Sequence, residues 1–185
     1  MRIVGGAFRG RPLATPRDAR IRPTSDRTRE AVFNVIAHAH PDKLAGGRVL
    51  DLFAGTGALG IEALSRGASA CVFIEESAEG RGLIRDNVEA FGLQGRTKIF
   101  RRDATRLGEV GTIAPFDLVF ADPPYGKNLA EPALSAARDG GWLAPGALMV
   151  VEEAADATFA PDIDFVIADE RHYGDTIVRF IQRPA

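Results

Sequence analysis

Short apolar runs bounded by glycine, proline and acidic residues recur along the chain. Those near 48–53, 70–75, 97–101, 116–121, 147–152, 164–169 and 175–182 read as strands. After the first run, Ile61, Ala63 and Leu64 switch to helical spacing. After the second, Ser77 is placed to cap a helix carrying Ile84, Val88 and Phe91, with Gly92 as its stop and with Gly80 and Gly82 weakening its first turns. Strands alternating with helices predict an α/β sheet. Only Arg171 to Gly174 separate the last two runs, too short a stretch for a crossover helix, so these strands are expected to form an antiparallel hairpin at the end of an otherwise parallel sheet.

The segment before the sheet has a different character. Arg2 to Leu13 reads as short strands broken by Gly5-Gly6, with Arg9 and Arg11 on one side by period two. Pro23-Thr24-Ser25-Asp26 is a helix start, with Asp26 at the positive end of the dipole, and Val32, Val35 and Ile36 supply an apolar face that docks on the sheet. The chain therefore divides into an extension, 1–40, and a sheet domain, 41–185. Residues 1–30 hold eight arginines against Asp18, Asp26 and Glu30, a net of +5, whereas the whole chain carries −2. Such a basic arm on an acidic body neutralises phosphates, and arginine does so bidentately.

Candidate chemistry gathers at the predicted strand ends, where open α/β sheets bind ligands. Asp122-Pro123-Pro124-Tyr125 ends the fourth apolar run. Two prolines fix the backbone and leave a carbonyl projecting, so that Asp122 and the Pro123 carbonyl are placed to accept both hydrogens of a planar exocyclic amine while Tyr125 stacks on the base that carries it. After the first run, Gly55, Gly57 and Gly60 form G-x-G-x-x-G, a pattern that fits any nucleotide-like ligand. Glu75 ends the second run, twenty residues after Gly55, where an acid holds a ribose diol. NAD and S-adenosylmethionine both carry that ribose. Asp51 opposes a pyrophosphate and attracts a cationic methionyl group, which favours S-adenosylmethionine. Asp103-Ala104, after the third run, suits an adenine amine and ring nitrogen.

In this order the motifs resemble the class I S-adenosylmethionine-dependent methyltransferases acting on exocyclic amines. The resemblance implies a Rossmann-like seven-stranded, mostly parallel sheet with helices on both faces and an antiparallel last strand. It also implies cofactor contacts from Asp51, Phe53, Ala54, Gly55, Thr56, Gly57, Glu75, Glu76, Asp103, Ala104 and Asp122, and an acceptor loop of Asp122, Pro123, Pro124 and Tyr125.

The strings F-R-G-R and R-P-T-S-D-R-T-R-E-A-V-F-N, followed by D-L-F-A-G-T-G, D-P-P-Y and Tyr173-Gly174-Asp175-Thr176, are similar to the bacterial RsmD family of small-subunit ribosomal RNA guanine-N2 methyltransferases. This resemblance implies methylation of one guanine amine in 16S ribosomal RNA, within a small subunit or an assembly intermediate. The implied RNA contacts are Arg9, Arg11, Arg22, Arg27 and Arg29.

Two other readings stay open. An N6-adenine methyltransferase on RNA or DNA would use the same D-P-P-Y loop, although the sixty residues after Tyr125 are nearly all needed to complete the sheet and leave no room for a DNA-reading domain. A non-catalytic RNA-binding assembly factor would have kept the fold without turnover.

Composition narrows the setting. With 185 residues, 45% hydrophobic, the chain can bury a real core. The single Cys71 lies in an apolar run and reads as a core thiol in a reducing compartment. No signal peptide and no apolar span of membrane length appear, so a cytoplasmic monomer is expected. His38, His40 and His172 are scattered, and no metal site is expected. The adjacent acids Glu152 and Glu153 would point to opposite faces of a strand, which suits solvent or cofactor contact better than a catalytic dyad.

Overall fold

Residues of the first apolar run are buried on both faces: Val49, Leu50 and Leu52 are wholly inaccessible. This follows from their place at the centre of the sheet. The computed structural model describes residues 1–17 and 24–184. Strands β1 (Arg48–Leu52), β2 (Ala70–Ile74), β3 (Thr97–Phe100), β4 (Phe116–Ala121), β5 (Leu143–Ala154), β6 (Val166–Tyr173) and β7 (Thr176–Gln182) form one seven-stranded sheet in the order β3-β2-β1-β4-β5-β7-β6. Pairing is parallel from β3 through to β5, and β7 is antiparallel to both β5 and β6. Between β1 and its two neighbours the strand order reverses direction, and a crevice opens there at the carboxyl ends.

Among the described residues, five α-helices cover the sheet. They are α1 (Asp26–Ala39), α2 (Pro41–Leu44), α3 (Ala58–Ser65), α4 (Ala78–Ala90) and α5 (Ala130–Asp139). One apolar cluster joins α1, α3 and α4 to Val49, Phe73, Phe120 and Val150, and a second joins α5 to Leu50, Val72, Val119 and Met149. The helix caps follow the sequence. Ser77 accepts from the Gly80 amide at 3.0 Å, Ser25 accepts from the Thr28 amide at 3.1 Å, and Gly92 leaves α4 at φ +67°.

Three elements differ from the sequence reading. Strand β5 begins at Leu143 rather than near 147, because the Phe116 amide bonds the Trp142 carbonyl at 2.8 Å and the strand runs on through Pro145-Gly146 with a shift in register. Strand β6 extends to Tyr173 because its turn is only Gly174-Asp175, with Gly174 at φ +60° as a two-residue hairpin loop needs. It lies at the sheet edge, so Asp169 to His172 are polar and hidden from an apolar pattern.

The amino-terminal hairpin is the third. Its ends pair, with Arg2 bridged to Pro12 and the Ile3 amide on the Arg11 carbonyl at 3.0 Å, but Gly5-Gly6 is not a tight turn. A 3-10 turn over Gly6–Phe8 widens the loop, which is moulded onto α3. A Cβ on Gly6 would lie 2.0 Å from the Ser65 carbonyl oxygen, a position open only to glycine.

The arm is anchored by Glu62 of α3, fully buried. Its carboxylate accepts from the Val4 and Gly5 amides at 3.0 Å each, from Arg29 Nε at 3.0 Å and from Arg66 Nε at 3.1 Å. Ile3 and Leu13 meanwhile enter the same apolar cluster as Phe33 and Ile36 of α1.

Candidate functional site

The crevice is built from four chain reversals at strand ends. At β1, Phe53 takes φ +54°, uncommon for a bulky side chain, and Gly55 and Gly57 take +59° and +79°, so the backbone curls under the space in front of it and enters α3. Gly57 faces inward, where a Cβ would stand 3.2 Å from Phe73 and 3.3 Å from Ile84. At Gly60 a Cβ would lie 2.6 Å from both Cys71 Sγ and the Phe73 ring, so this glycine lets α3 lie directly on β2. The G-x-G-x-x-G pattern thus divides into a first glycine that lines the cleft and two that allow close packing.

Asp51 lies beneath the turn, 1% exposed, with its Oδ2 accepting the Gly60 amide at 3.0 Å. Burial holds its carboxyl well above the usual carboxylate range, and the charge of Glu75 pushes the same way. Glu75, at the end of β2, bridges the turn to α4: its Oε1 accepts the Gly55 amide at 2.7 Å and its Oε2 the Ser77 amide at 2.9 Å. Gly80 makes room for this side chain, since a Cβ there would lie 2.7 Å from Glu75 Cγ. A carboxylate offers about four acceptor positions, so Glu75 keeps capacity for hydroxyl donors from the crevice.

After β3, Asp103 caps the 3-10 turn Ala104–Arg106, accepting from the Thr105 amide at 2.9 Å and its hydroxyl at 2.7 Å. The Thr105 hydroxyl, and after it the amide, hold the Asp103 carboxyl below its ordinary value. After β4, Pro123 is buried while Asp122 and Tyr125 are half-buried, and the Tyr125 hydroxyl lies 2.8 Å from Thr176 Oγ1 at the start of β7.

These reversals surround one cleft of about 860 Å³. Asp51, Phe53, Ala54, Gly55, Thr56, Glu75, Glu76, Asp103, Ala104 and Asp122 to Tyr125 all line it, whereas Gly57 stands behind the wall. The volume suits a nucleoside-sized ligand.

Several lining residues escaped the sequence reading. Thr24, Ser25 and Thr28 enter from the start of α1, and Arg102, Lys127, Glu152, Tyr173, Asp175 and Thr176 complete the rim. Tyr173 to Thr176 stood out as a string without a role. Glu152 was legible only as one of two adjacent acids, and strand alternation indeed separates them: Glu153 turns from the cleft to pair with Arg179 at 2.9 Å. Thr24 carried no signal, because its partner Asp122 lies 98 residues away.

The arginines expected to meet RNA separate into different environments. Arg9 and Arg27 are exposed. Arg11 lies over the Phe91 ring at 4.4 Å and donates to the Ala90 carbonyl at 2.7 Å, which fastens the arm to α4. Arg22 lies outside the described residues. Arg29 corrects the sequence reading: it is fully buried, paired with Glu62 and Asp26 at 3.0 Å each and bonded to the Arg2 carbonyl, and it presents nothing to a phosphate. Its charge answers an interior acid.

Among the described residues no three potential metal ligands gather, and no helix is long and apolar enough to cross a membrane.

Comparison with known proteins places this geometry. A family model described as conserved hypothetical protein 95 matches residues 1–182. Ribosomal RNA small subunit methyltransferase D of Escherichia coli is 37% identical over 188 residues, covering 100% of this chain and 91% of that protein. Its namesake in Haemophilus influenzae is 32% identical, covering 98% and 93%. Among solved structures, the Escherichia coli protein yhhF superposes with a TM-score of 0.85 at 32% identity, covering 100% of this chain and 98% of the other. An RNA methyltransferase of Salinibacter ruber in complex with S-adenosyl-L-homocysteine shares the fold, with a TM-score of 0.66 at 15% identity over 88% and 94%.

Proposed function

Because the chain belongs to the family of ribosomal RNA small subunit methyltransferase D and has the class I methyltransferase fold, we propose that it transfers a methyl group from S-adenosylmethionine to the N2 amine of a guanine in 16S ribosomal RNA, presented within a small subunit or an assembly intermediate. The observation that carries this reading is the convergence of the glycine turn, Glu75, Asp103 and Asp122 to Tyr125 on one cleft.

The residues present fit the cofactor. Asp51 and the glycine turn would face its cationic methionyl end, Glu75 with Glu76 its ribose, and Asp103 with Ala104 its adenine. When bound, it supplies an electrophilic methyl carbon on a sulfonium whose departure leaves a neutral thioether.

A guanine amine is a weak nucleophile, since its lone pair is delocalised into the ring. Asp122 and the Pro123 carbonyl accept its two hydrogens, which favours a more pyramidal nitrogen with its lone pair directed at the methyl. Tyr125, held through its hydroxyl by Thr176, stacks on the unstacked base and returns about 1 to 3 kcal/mol. No strong base is needed before attack, and the amine proton leaves afterwards to Asp122 or water. Placement in near-attack geometry supplies about 7 to 11 kcal/mol of barrier reduction.

Incubation with labelled S-adenosylmethionine and small-subunit particles at successive assembly stages, followed by digestion to nucleosides, tests the reading. Label in N2-methylguanosine is expected. Label in N6-methyladenosine would transfer the site to the adenine class, and cofactor binding without any transfer would favour a non-catalytic factor.

Arg9 and Arg27 extend the reading to the RNA backbone. Replacing both with alanine is expected to weaken RNA binding and to lower the slope of log affinity against log salt by about 1.4 to 1.8, as loss of two phosphate contacts requires. An unchanged slope in a titration across salt would remove them from the interface.

A further inference from the structure

Resting on the guanine reading above, we propose that Lys127 is a phosphate-contacting residue on the acceptor side of the cleft, where it neutralises a phosphate flanking the target nucleotide. The case begins with charge. Seven acidic side chains line the cleft, from Asp51 through to Asp175, and among the described residues only Arg102 and Lys127 bring positive charge to its lining. Acids suit a sulfonium cofactor, but they repel the backbone of an RNA that must enter the same mouth. A phosphate that comes to this rim needs a local cation.

Arg102 is engaged elsewhere. It follows β3 at the sheet edge, with β2 and β1 between it and β4. Its guanidinium donates to the Leu107 carbonyl at 2.9 Å and lies over the Phe100 and Trp142 rings at 5.0 and 5.5 Å.

Lys127 stands beside the acceptor loop, two residues beyond Tyr125, and is exposed. The turn that carries it is specified on both flanks, by Gly126 at φ +77° and Asn128 at φ +53°. A Cβ on Gly126 would meet nothing within 4 Å, so glycine is there for its backbone angle and not for space. Asparagine is among the few other residues enriched in this region. The two left-handed residues turn the chain between Tyr125 and Leu129, just ahead of α5, and keep Lys127 on the cleft wall.

A guanine whose amine reaches Asp122 and the Pro123 carbonyl trails its ribose and flanking phosphates back toward the open mouth, beside this turn. An ammonium on a flexible stem acts there as a point charge and needs no fixed fork geometry. Lys127 thus supplies at the mouth the charge that the acidic interior withholds.

The test uses the full protein and small-subunit particles. Lys127→Gln is expected to raise KM for RNA about tenfold with kcat little changed. The slope of log affinity against log salt should fall by about 0.7 to 0.9, the share of one phosphate. Lys127→Arg, which keeps the charge, should restore both, and S-adenosylmethionine affinity by calorimetry should not move in either variant. A neutral methylphosphonate at one of the two linkages flanking the target guanosine should reproduce the loss in wild type and add nothing to it in Lys127→Gln. An unchanged salt slope, a fall in cofactor affinity, or equal losses from the neutral linkages in wild type and variant would overturn the assignment while leaving guanine as the substrate. Wild-type protein that methylates adenine and ignores guanine would instead overturn the underlying reading.

Discussion

Asp122→Ala is expected to lower methyl transfer by about a hundred- to a thousandfold, the scale seen when one preorganised polar contact to a developing charge is removed. S-adenosylmethionine should still bind with nearly unchanged affinity, because Asp51, the glycine turn, Glu75 and Asp103 are untouched and lie on other strand ends. The loss should appear in kcat rather than KM for RNA, since Tyr125 remains fastened to Thr176 and still stacks the base. Single-turnover transfer combined with calorimetry separates the two quantities. Near-normal transfer by the variant would remove Asp122 from the reaction.

Arg29→Ala is expected to destabilise the fold by about 3 kcal/mol, the lower end of the cost of breaking a buried ion pair, because Arg66 still neutralises part of the Glu62 charge. In thermal unfolding that corresponds to a fall in Tm of roughly 6 to 12 °C. Losing the guanidinium also cuts the tie between α1, the amino-terminal arm and α3, so Arg2, Val4 and Gly5 should exchange their amide hydrogens faster. Arg66→Ala, which removes the more exposed partner of the same carboxylate, should cost less. An unchanged melting temperature with weakened RNA binding would return Arg29 to the interface.

The sheet was legible because central strands are apolar at successive positions: Val49, Leu50, Val72, Phe73, Val119 and Phe120 need no alternation when both faces are covered. The edge strand β6 was misplaced for the opposite reason. Asp169 to His172 face solvent, and pairing with β7 alone keeps them in the sheet. At the site, Glu75, Asp103 and Asp122 were readable because each stands where an apolar run stops, a position defined within a few residues of sequence. Glu152 and Thr24 were not. Their places in the cleft depend on which strands are neighbours and on where α1 begins, facts set by long-range packing.

Arg29 shows the same limit for charge. Counting arginines identified a basic arm, but counting does not reveal that Glu62 waits at the surface where α1 docks. The glycines lie between these cases. Their spacing announced a turn, while the division of labour, with Gly55 lining the cleft and Gly57 and Gly60 against Phe73, Ile84 and Cys71, required coordinates.

The most direct measurement is a crystal structure of the protein with S-adenosylhomocysteine. The ribose hydroxyls should lie on Glu75, the adenine beside Asp103 and Ala104, and the sulfur should face the Asp122 carboxylate and Pro123 carbonyl across a gap wide enough for one amine. A ligand bound outside the cleft, or a sulfur turned from Asp122, would contradict the account.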